Sequence, residues 1–260
     1  MSRNVIFCFS GSGNCLDIAK NIAKALHDTD IVMMKSEPVI TDVSDAERVG
    51  FVLPCFAGGL PGHVEEYVSK IKVSPKAYTF GVVSYAGYMG VGLSVINKYI
   101  PLLYWTGISH HCSCIWLFPH SLTMPPLSVE KSQQRSEKLA AKAAQDILAG
   151  KFKKLPPPSN PINAVEAKAW PLLCAEKAEK MRVNESCVGC GQCVTLCPEN
   201  NIRLENGRAV IGKSCIQCLS CLQFCPTQAI DLGGASVKRQ RYHNIRITAE
   251  ELSRKLIHID

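Results

Sequence analysis

Residues Cys187–Pro226 constrain this chain more than any other stretch. They read C-V-G-C-G-Q-C-V-T-L-C-P, a short insert, then C-I-Q-C-L-S-C-L-Q-F-C-P, so the spacing C-x2-C-x2-C-x3-C-P occurs twice. Thiolate is a soft ligand that selects iron–sulfur clusters, zinc or Cu(I). This spacing is the bacterial 4Fe–4S pattern, in which the fourth cysteine ligates the other cluster. It assigns Cys187, Cys190, Cys193 and Cys225 to one cluster, and Cys215, Cys218, Cys221 and Cys197 to a second. Structural zinc takes four ligands, commonly as paired C-x2-C knuckles across a longer gap. Tandem triplets with a crossover cysteine fit zinc badly.

The chain has 260 residues, enough for one large or two ordinary domains. No run approaches the roughly eighteen apolar residues of a membrane span. The opening MSRNVIFCFSGSG is too short, and ends in the wrong residues, for a signal peptide. The expectation is a cytoplasmic protein. Of fourteen cysteines, Cys8, Cys15, Cys55, Cys112, Cys114 and Cys174 lie outside the two runs. Scattered in apolar or loop settings, they read as small buried hydrophobes rather than bridges.

The first half alternates strand and helix patterns. Asn4–Phe9 is a short apolar run of β formers, which reads as a buried central strand. It enters Ser10-Gly-Ser-Gly-Asn-Cys15 and then a segment of helical spacing. Strand, glycine-rich loop and helix make a phosphate cradle, because loop amides and the helix dipole meet an anion there. Ser10 and Ser12 add hydroxyls, and Gly11 and Gly13 allow close approach. The Gly-Lys-Ser/Thr ending of a P-loop is absent, as are G-x-G-x-x-G and G-x-S-x-G. The loop suits a single phosphate monoester such as that of FMN; the alternative is a plain βα turn. Further strands are expected at Asp30–Lys35, Arg48–Phe56, Ala77–Ser84 and His110–Leu117, with helices at His63–Ile71, around Leu93–Ile100 and at Ser128–Leu148. This alternation predicts an α/β doubly wound parallel five-stranded sheet. Ligands of such sheets sit outside the carboxyl ends of the strands. The loops at that edge are Ser10–Cys15, Cys55–Pro61 and Ser84–Met89. Candidate flavin contacts are Cys55, Phe56, Ala57, Gly58 and Gly59 in the second loop, and Ser84, Tyr85, Ala86, Gly87 and Tyr88 in the third. Aromatics there can flank an isoalloxazine, and glycines open the backbone to its polar edge. Tyr85 and Tyr88 can equally be ordinary loop aromatics.

Through F-S-G-S-G-N and the glycine loops, the first ~150 residues resemble flavodoxins. Ser12 stands where many flavodoxins have a threonine, and Cys15 replaces the last hydroxyl residue of their loop. The whole chain resembles the EFR1 family of fused flavodoxin–ferredoxin proteins. That resemblance implies a flavodoxin-like FMN domain followed by a small α+β bacterial-type ferredoxin domain with two 4Fe–4S clusters.

The expected organisation is residues 1–150 for the FMN domain, 151–182 for a linker and connector helix, and 183–260 for the cluster domain with a basic tail. The linker reads K-F-K-K-L-P-P-P-S-N-P, and consecutive prolines make a stiff spacer. The connector is expected to be partly helical and broken at Pro171, with Trp170 as a packing anchor or a gate between cofactors. Asn201–Ile211 reads as a hairpin turning at Asn206-Gly207. So small a domain needs its clusters as a core. The tail V237-K-R-Q-R-Y-H-N-I-R-I reads as a solvated basic edge, a dock for an acidic partner, or a return to the first domain with Arg or Tyr near the flavin phosphate.

The net charge is +7, with 13 basic and 12 acidic groups in residues 1–150 and 16 and 10 in residues 151–260. Two oxidised clusters with their thiolates add roughly −4 and a flavin phosphate roughly −2, and such charges belong in the account. The excess is therefore read as compensation for cofactors, with no nucleic-acid partner. No acid–base pair or nucleophile is placed for covalent chemistry; His63, His110, His111 and His120 read as core or surface residues or as a proton donor to a flavin. The leading expectation is an electron carrier relaying between clusters and FMN, with redox proteins as partners. The alternatives are a flavin-dependent reductase of a small molecule fed by the clusters, and a redox-sensing module.

Overall fold

The computed structural model describes residues 2–110, 129–154, 156–158, 160–233, 236 and 241–260. The first half contains β1 (Asn4–Cys8), α1 (Asn14–Leu26), β2 (Thr29–Met33), β3 (Asp42–Val43), β4 (Arg48–Pro54), α2 (Val64–Ser69), β5 (Lys72–Val73), β6 (Tyr78–Tyr85), α3 (Gly92–Tyr99), β7 (Tyr104–Ser109) and α4 (Val129–Leu148). The second contains α5 (Pro161–Ala178), β8 (Met181–Val183), α6 (Gln192–Leu196), β9 (Ile202–Glu205), β10 (Arg208–Ile211), α7 (Ser220–Gln223), β11 (Ile230–Leu232), α8 (Ala249–Ser253) and β12 (Leu256–Ile259).

Every residue of β1 is buried. The strand pairs in parallel with β2 on one side and β4 on the other, and β4–β6 and β6–β7 continue in parallel. The order β2-β1-β4-β6-β7 is the flavodoxin-like doubly wound order. Side chains alternate between the faces of a strand, and here both faces are covered. Ile6 and Cys8 pack with Leu16, Ile18 and Ile22 of α1 and Ala140, Ala143 and Ile147 of α4. Val5 and Phe7 point the other way, onto Phe51, Val64, Tyr67, Leu93 and Ile96. A strand buried on both sides reads as a continuous apolar run, which is why Asn4–Phe9 was recognisable.

Three expectations are corrected. The fifth parallel strand is Tyr104–Ser109 rather than 110–117. His110 follows its end and donates its N–H to the Tyr85 carbonyl at 2.7 Å, while residues 111–117 lie outside the described residues. Gly107 weakens the strand signal, yet a Cβ there would stand 2.7 Å from Met89 Sδ, so the third loop packs where a larger residue would collide. The connector α5 runs straight through Pro171. Proline removes one helical donor, but the burial of Trp170 and Cys174 anchors the helix on both sides of it. Finally, the C-terminal residues keep contact with the cluster unit, through Arg241 on Asp231 and Tyr242 on Gln223, but end on the first unit. β12 pairs antiparallel with β2, from Leu256 opposite Val32 to Ile259 opposite Thr29, and makes a sixth strand. A capping box between Thr248 and Glu251 starts α8 just before it. This strand covers an edge that would otherwise expose unpaired backbone groups.

The cluster unit is built on two small antiparallel pairs, β8–β11 and β9–β10. Asn206 and Gly207 both have positive φ, 48° and 73°, as the expected two-residue hairpin turn requires. Its apolar core is little more than Met181, Ile202, Leu219, Leu222 and Ile230, with cysteines packed around them. Among the described residues no helix is long and apolar enough to cross a membrane.

Candidate cofactor sites

The fold brings Cys187, Cys190, Cys193 and Cys225 together, and Cys197, Cys215, Cys218 and Cys221 near one another. Cys187, Cys190, Cys193 and Cys225 line one cavity together with Val188, Leu204, Ala209 and Ile230. Burial, then the neighbouring Cys190 thiolate, pushes the Cys193 thiol up to about 11, and Cys225 and Cys187 act in the same sense. In the other set, burial raises Cys218 to about 12 and Cys221 well above the ordinary thiol value, with Cys197 and Cys215 contributing charge to both. Burial thus keeps these thiols neutral, and they could ionise together only around a cationic centre. Among the described residues no three His, Cys, Asp or Glu side chains close around a single ion; the first set opens onto a cavity instead. Amides already point at the sulfurs. Ala209 N–H lies 3.5 Å from Cys187 Sγ, Asn201 N–H 3.3 Å from Cys197, Gln217 N–H 3.4 Å from Cys215 and Ala229 N–H 3.2 Å from Cys225. Such bonds to cluster sulfurs are a lever on reduction potential.

Ser10–Cys15 links β1 to α1 at the carboxyl edge of the sheet. Gly13 caps α1 with a left-handed φ of 91° and no side-chain cap. Among the described residues, the amides of Gly11, Ser12, Gly13 and Asn14 donate no hydrogen bond, and the buried Ser10 hydroxyl has no partner. Consecutive free amides at the start of a helix form an anion nest. The residues present therefore fit a phosphate monoester. Cys15 is buried beneath the loop and offers it no hydroxyl.

Sequence reading found these loop residues but not what holds them. The Ser220 hydroxyl donates to the Gly11 carbonyl at 2.9 Å, and the Asn244 amide donates to the Ser12 carbonyl at 2.8 Å. Tyr242 donates its hydroxyl to Asn14 Oδ1 at 2.8 Å, and its own amide bonds Gln223 Oε1 at 2.7 Å. Asn244 also reaches Asp17, whose carboxyl is raised mainly by burial. Of the three readings of the tail, its return to the first domain matches Tyr242; Arg241 turns away and pairs with Asp231 at 2.6 Å. Residues 237–240 of the basic run lie outside the described residues.

The second and third loops meet each other and α5. Cys55 N–H bonds the Ser84 carbonyl at 2.7 Å, and Val91 N–H bonds the Gly58 carbonyl at 2.7 Å. Ala57 and Gly58 carry positive φ, 45° and 79°, which turns the second loop back on itself. A Cβ on Gly58 or Gly59 would stand 2.7 Å from Asn163 O or Ala167 Cβ, so α5 lies directly on this loop. Trp170 is buried edge-on against Phe56 at 5.8 Å, an anchor in geometry. Tyr88 donates to Glu166 of α5. Partial desolvation of its hydroxyl, then this carboxylate, raises its pKa. Tyr85 packs inward with Met89, whereas Tyr88 remains exposed. Burial pushes the Cys55 thiol up to about 11, so it stays a neutral thiol. Between the first and second loops sits the second cysteine run. A Cβ on Gly11 would collide with the Cys218 carbonyl, and one on Gly62 would stand 2.6 Å from Ile216. His63 bonds Glu199 through Nδ1 and faces the Met34 carbonyl at 3.1 Å through Nε2, which ties the units further.

Residues 179–226 match the 4Fe-4S dicluster domain family, and both cysteine runs lie within the match. No curated protein matches the chain in sequence. Among solved structures it is similar to rubredoxin oxygen:oxidoreductase from Desulfovibrio gigas, at 16% identity and a TM-score of 0.36 over 56% of this chain and 37% of that one. It is also similar to an FMN-dependent NADH-azoreductase from Bacillus anthracis in complex with FMN, at 10% identity and 0.40 over 56% and 99%. A third is a flavoprotein in complex with FMN from Lactobacillus acidophilus, at 12% and 0.32 over 42% and 93%. The chain thus spans little more than a third of the first of these proteins.

Proposed function

We propose that this chain is an electron-transfer flavo-iron–sulfur protein, with FMN held at the carboxyl edge of the sheet and two 4Fe–4S clusters in the crossed cysteine quartets. The single observation that carries the reading is the contact of the second quartet with the phosphate loop, Cys218 against Gly11, with Ser220 bonded across it. When bound, clusters exchange single electrons and FMN exchanges one or two, so the pair joins partners of different electron number. The chain supplies nearness and insulation. Cys215, Cys218, Cys221 and Cys197 hold the inner cluster beside the flavin site. Cys187, Cys190, Cys193 and Cys225 hold the outer one, where Cys190 is exposed to a redox partner protein. Ser10, Gly11, Ser12, Gly13 and Asn14 bind the phosphate, with Cys15 beneath them. Residues 55–59 and 84–88 frame the isoalloxazine. Cover by α5 and the second cysteine run favours an internal electron exchange over an external small substrate.

Anaerobic purification with iron, acid-labile sulfide and flavin counts tests this composition. The expected result is about eight irons, eight sulfides and one FMN per chain. Zinc without sulfide, or colourless protein, overturns it.

A further inference from the structure

Ser220 stands between the two cofactor sites with one proton to donate. Its hydroxyl lies 2.9 Å from the Gly11 carbonyl and 3.6 Å from Cys218 Sγ, and the residue is buried. The Gly11 carbonyl and the Ser12 amide share one peptide plane and point opposite ways across it. Holding that carbonyl therefore aims the Ser12 N–H away from the cysteines, into the nest. The next plane is held in the same manner by the Asn244 amide on the Ser12 carbonyl at 2.8 Å.

We infer that Ser220 is a positioning residue that couples FMN binding to the redox state of the inner cluster. This rests on the assignment of FMN and cluster to these sites. An anion on the Ser12 amide polarises its peptide, so the Gly11 carbonyl accepts more strongly. The hydroxyl then commits to Gly11 and leaves Cys218. Extra negative charge on the sulfur draws it the other way. No proton is transferred; the hydrogen stays on Oγ and only its acceptor changes. The coupling is reciprocal, so FMN binds more tightly when the inner centre is oxidised, and removing FMN makes that centre easier to reduce.

The test is an EPR-monitored redox titration of the holoprotein with FMN and after flavin removal, for the wild type, Ser220→Ala and Ser220→Thr, with FMN affinity measured by fluorescence. Removing FMN raises the inner potential in the wild type and in Ser220→Thr. In Ser220→Ala the rise is smaller, because only the phosphate charge remains, and FMN affinity falls about five-fold, as for loss of one hydrogen bond. Equal rises in the wild type and Ser220→Ala overturn the inference while leaving the cofactor assignment standing. A wild type that binds no FMN removes both. If Ser220→Ala does not retain both clusters, Ser220→Gly, which also lacks the hydroxyl, is read against the same two outcomes.

Discussion

Cys225 closes the second cysteine run in sequence but lines the cavity of the first set in space. On the proposed assignment, replacing it should damage the cluster whose other ligands lie at least 32 positions upstream, counted from Cys193 to Cys225. Cys225→Ala should lower the iron content from about eight to about four per chain and spare the signal of the inner centre. Cys197→Ala should do the reverse. Iron analysis with EPR of both variants checks this, and equal loss from both centres in each variant contradicts the crossover. Gly11 makes a second case. Any side chain there meets the Cys218 carbonyl, so Gly11→Val should reduce FMN occupancy and perturb the inner cluster together. A normal flavin count and an unchanged EPR spectrum in that variant would show that the two sites do not touch.

At the level of elements, β12 carries an explicit pH dependence. His258 lies opposite Asp30 in the β12–β2 pair, with Nδ1 2.9 Å from Asp30 Oδ1 and Nε2 3.1 Å from Asp260. The bond to Asp30 raises the His258 pKa, with Asp260 adding to it. A raised folded-state pKa means that protonation favours the docked strand. That contribution is fully present below the unfolded histidine value, near 6.5, and is lost as pH rises through the folded one. Amide exchange protection of β12, corrected for intrinsic rates, should thus fall as pH rises above the ordinary histidine range, and His258→Gln should remove the slope. A slope that persists in His258→Gln would place its origin elsewhere.

This element was also the hardest to read from sequence. Leu256–Ile259 has four residues and pairs with a strand more than 220 positions away, a partnership that no local pattern encodes. β1, by contrast, announced itself because double burial writes a continuous apolar run. The cysteine sets were legible because cluster ligation is specified over a dozen residues. Ser10–Cys15 was legible because tight turns demand glycine. Ser220, Asn244 and Glu166 were not, because each acts on a loop distant in sequence and is an ordinary surface type until the fold delivers it.

For the whole molecule, the C-terminal half is a clamp on the first rather than an appended module. The tail contacts α7 through Gln223 and Tyr242, the Ser10–Cys15 loop at Asn14, and the sheet edge at β12. A stiff spacer of three prolines would permit two swinging domains, yet α5, the second cysteine run and β12 all bind the first half. Electron exchange inside one chain should then need no encounter between molecules. The most direct measurement is stopped-flow reduction of the anaerobic holoprotein through its clusters, following FMN bleaching across a tenfold range of protein concentration. A flavin rate independent of protein concentration is the expected result. A rate that rises in proportion to concentration, or clusters that reduce while the flavin stays oxidised, contradicts an internal path.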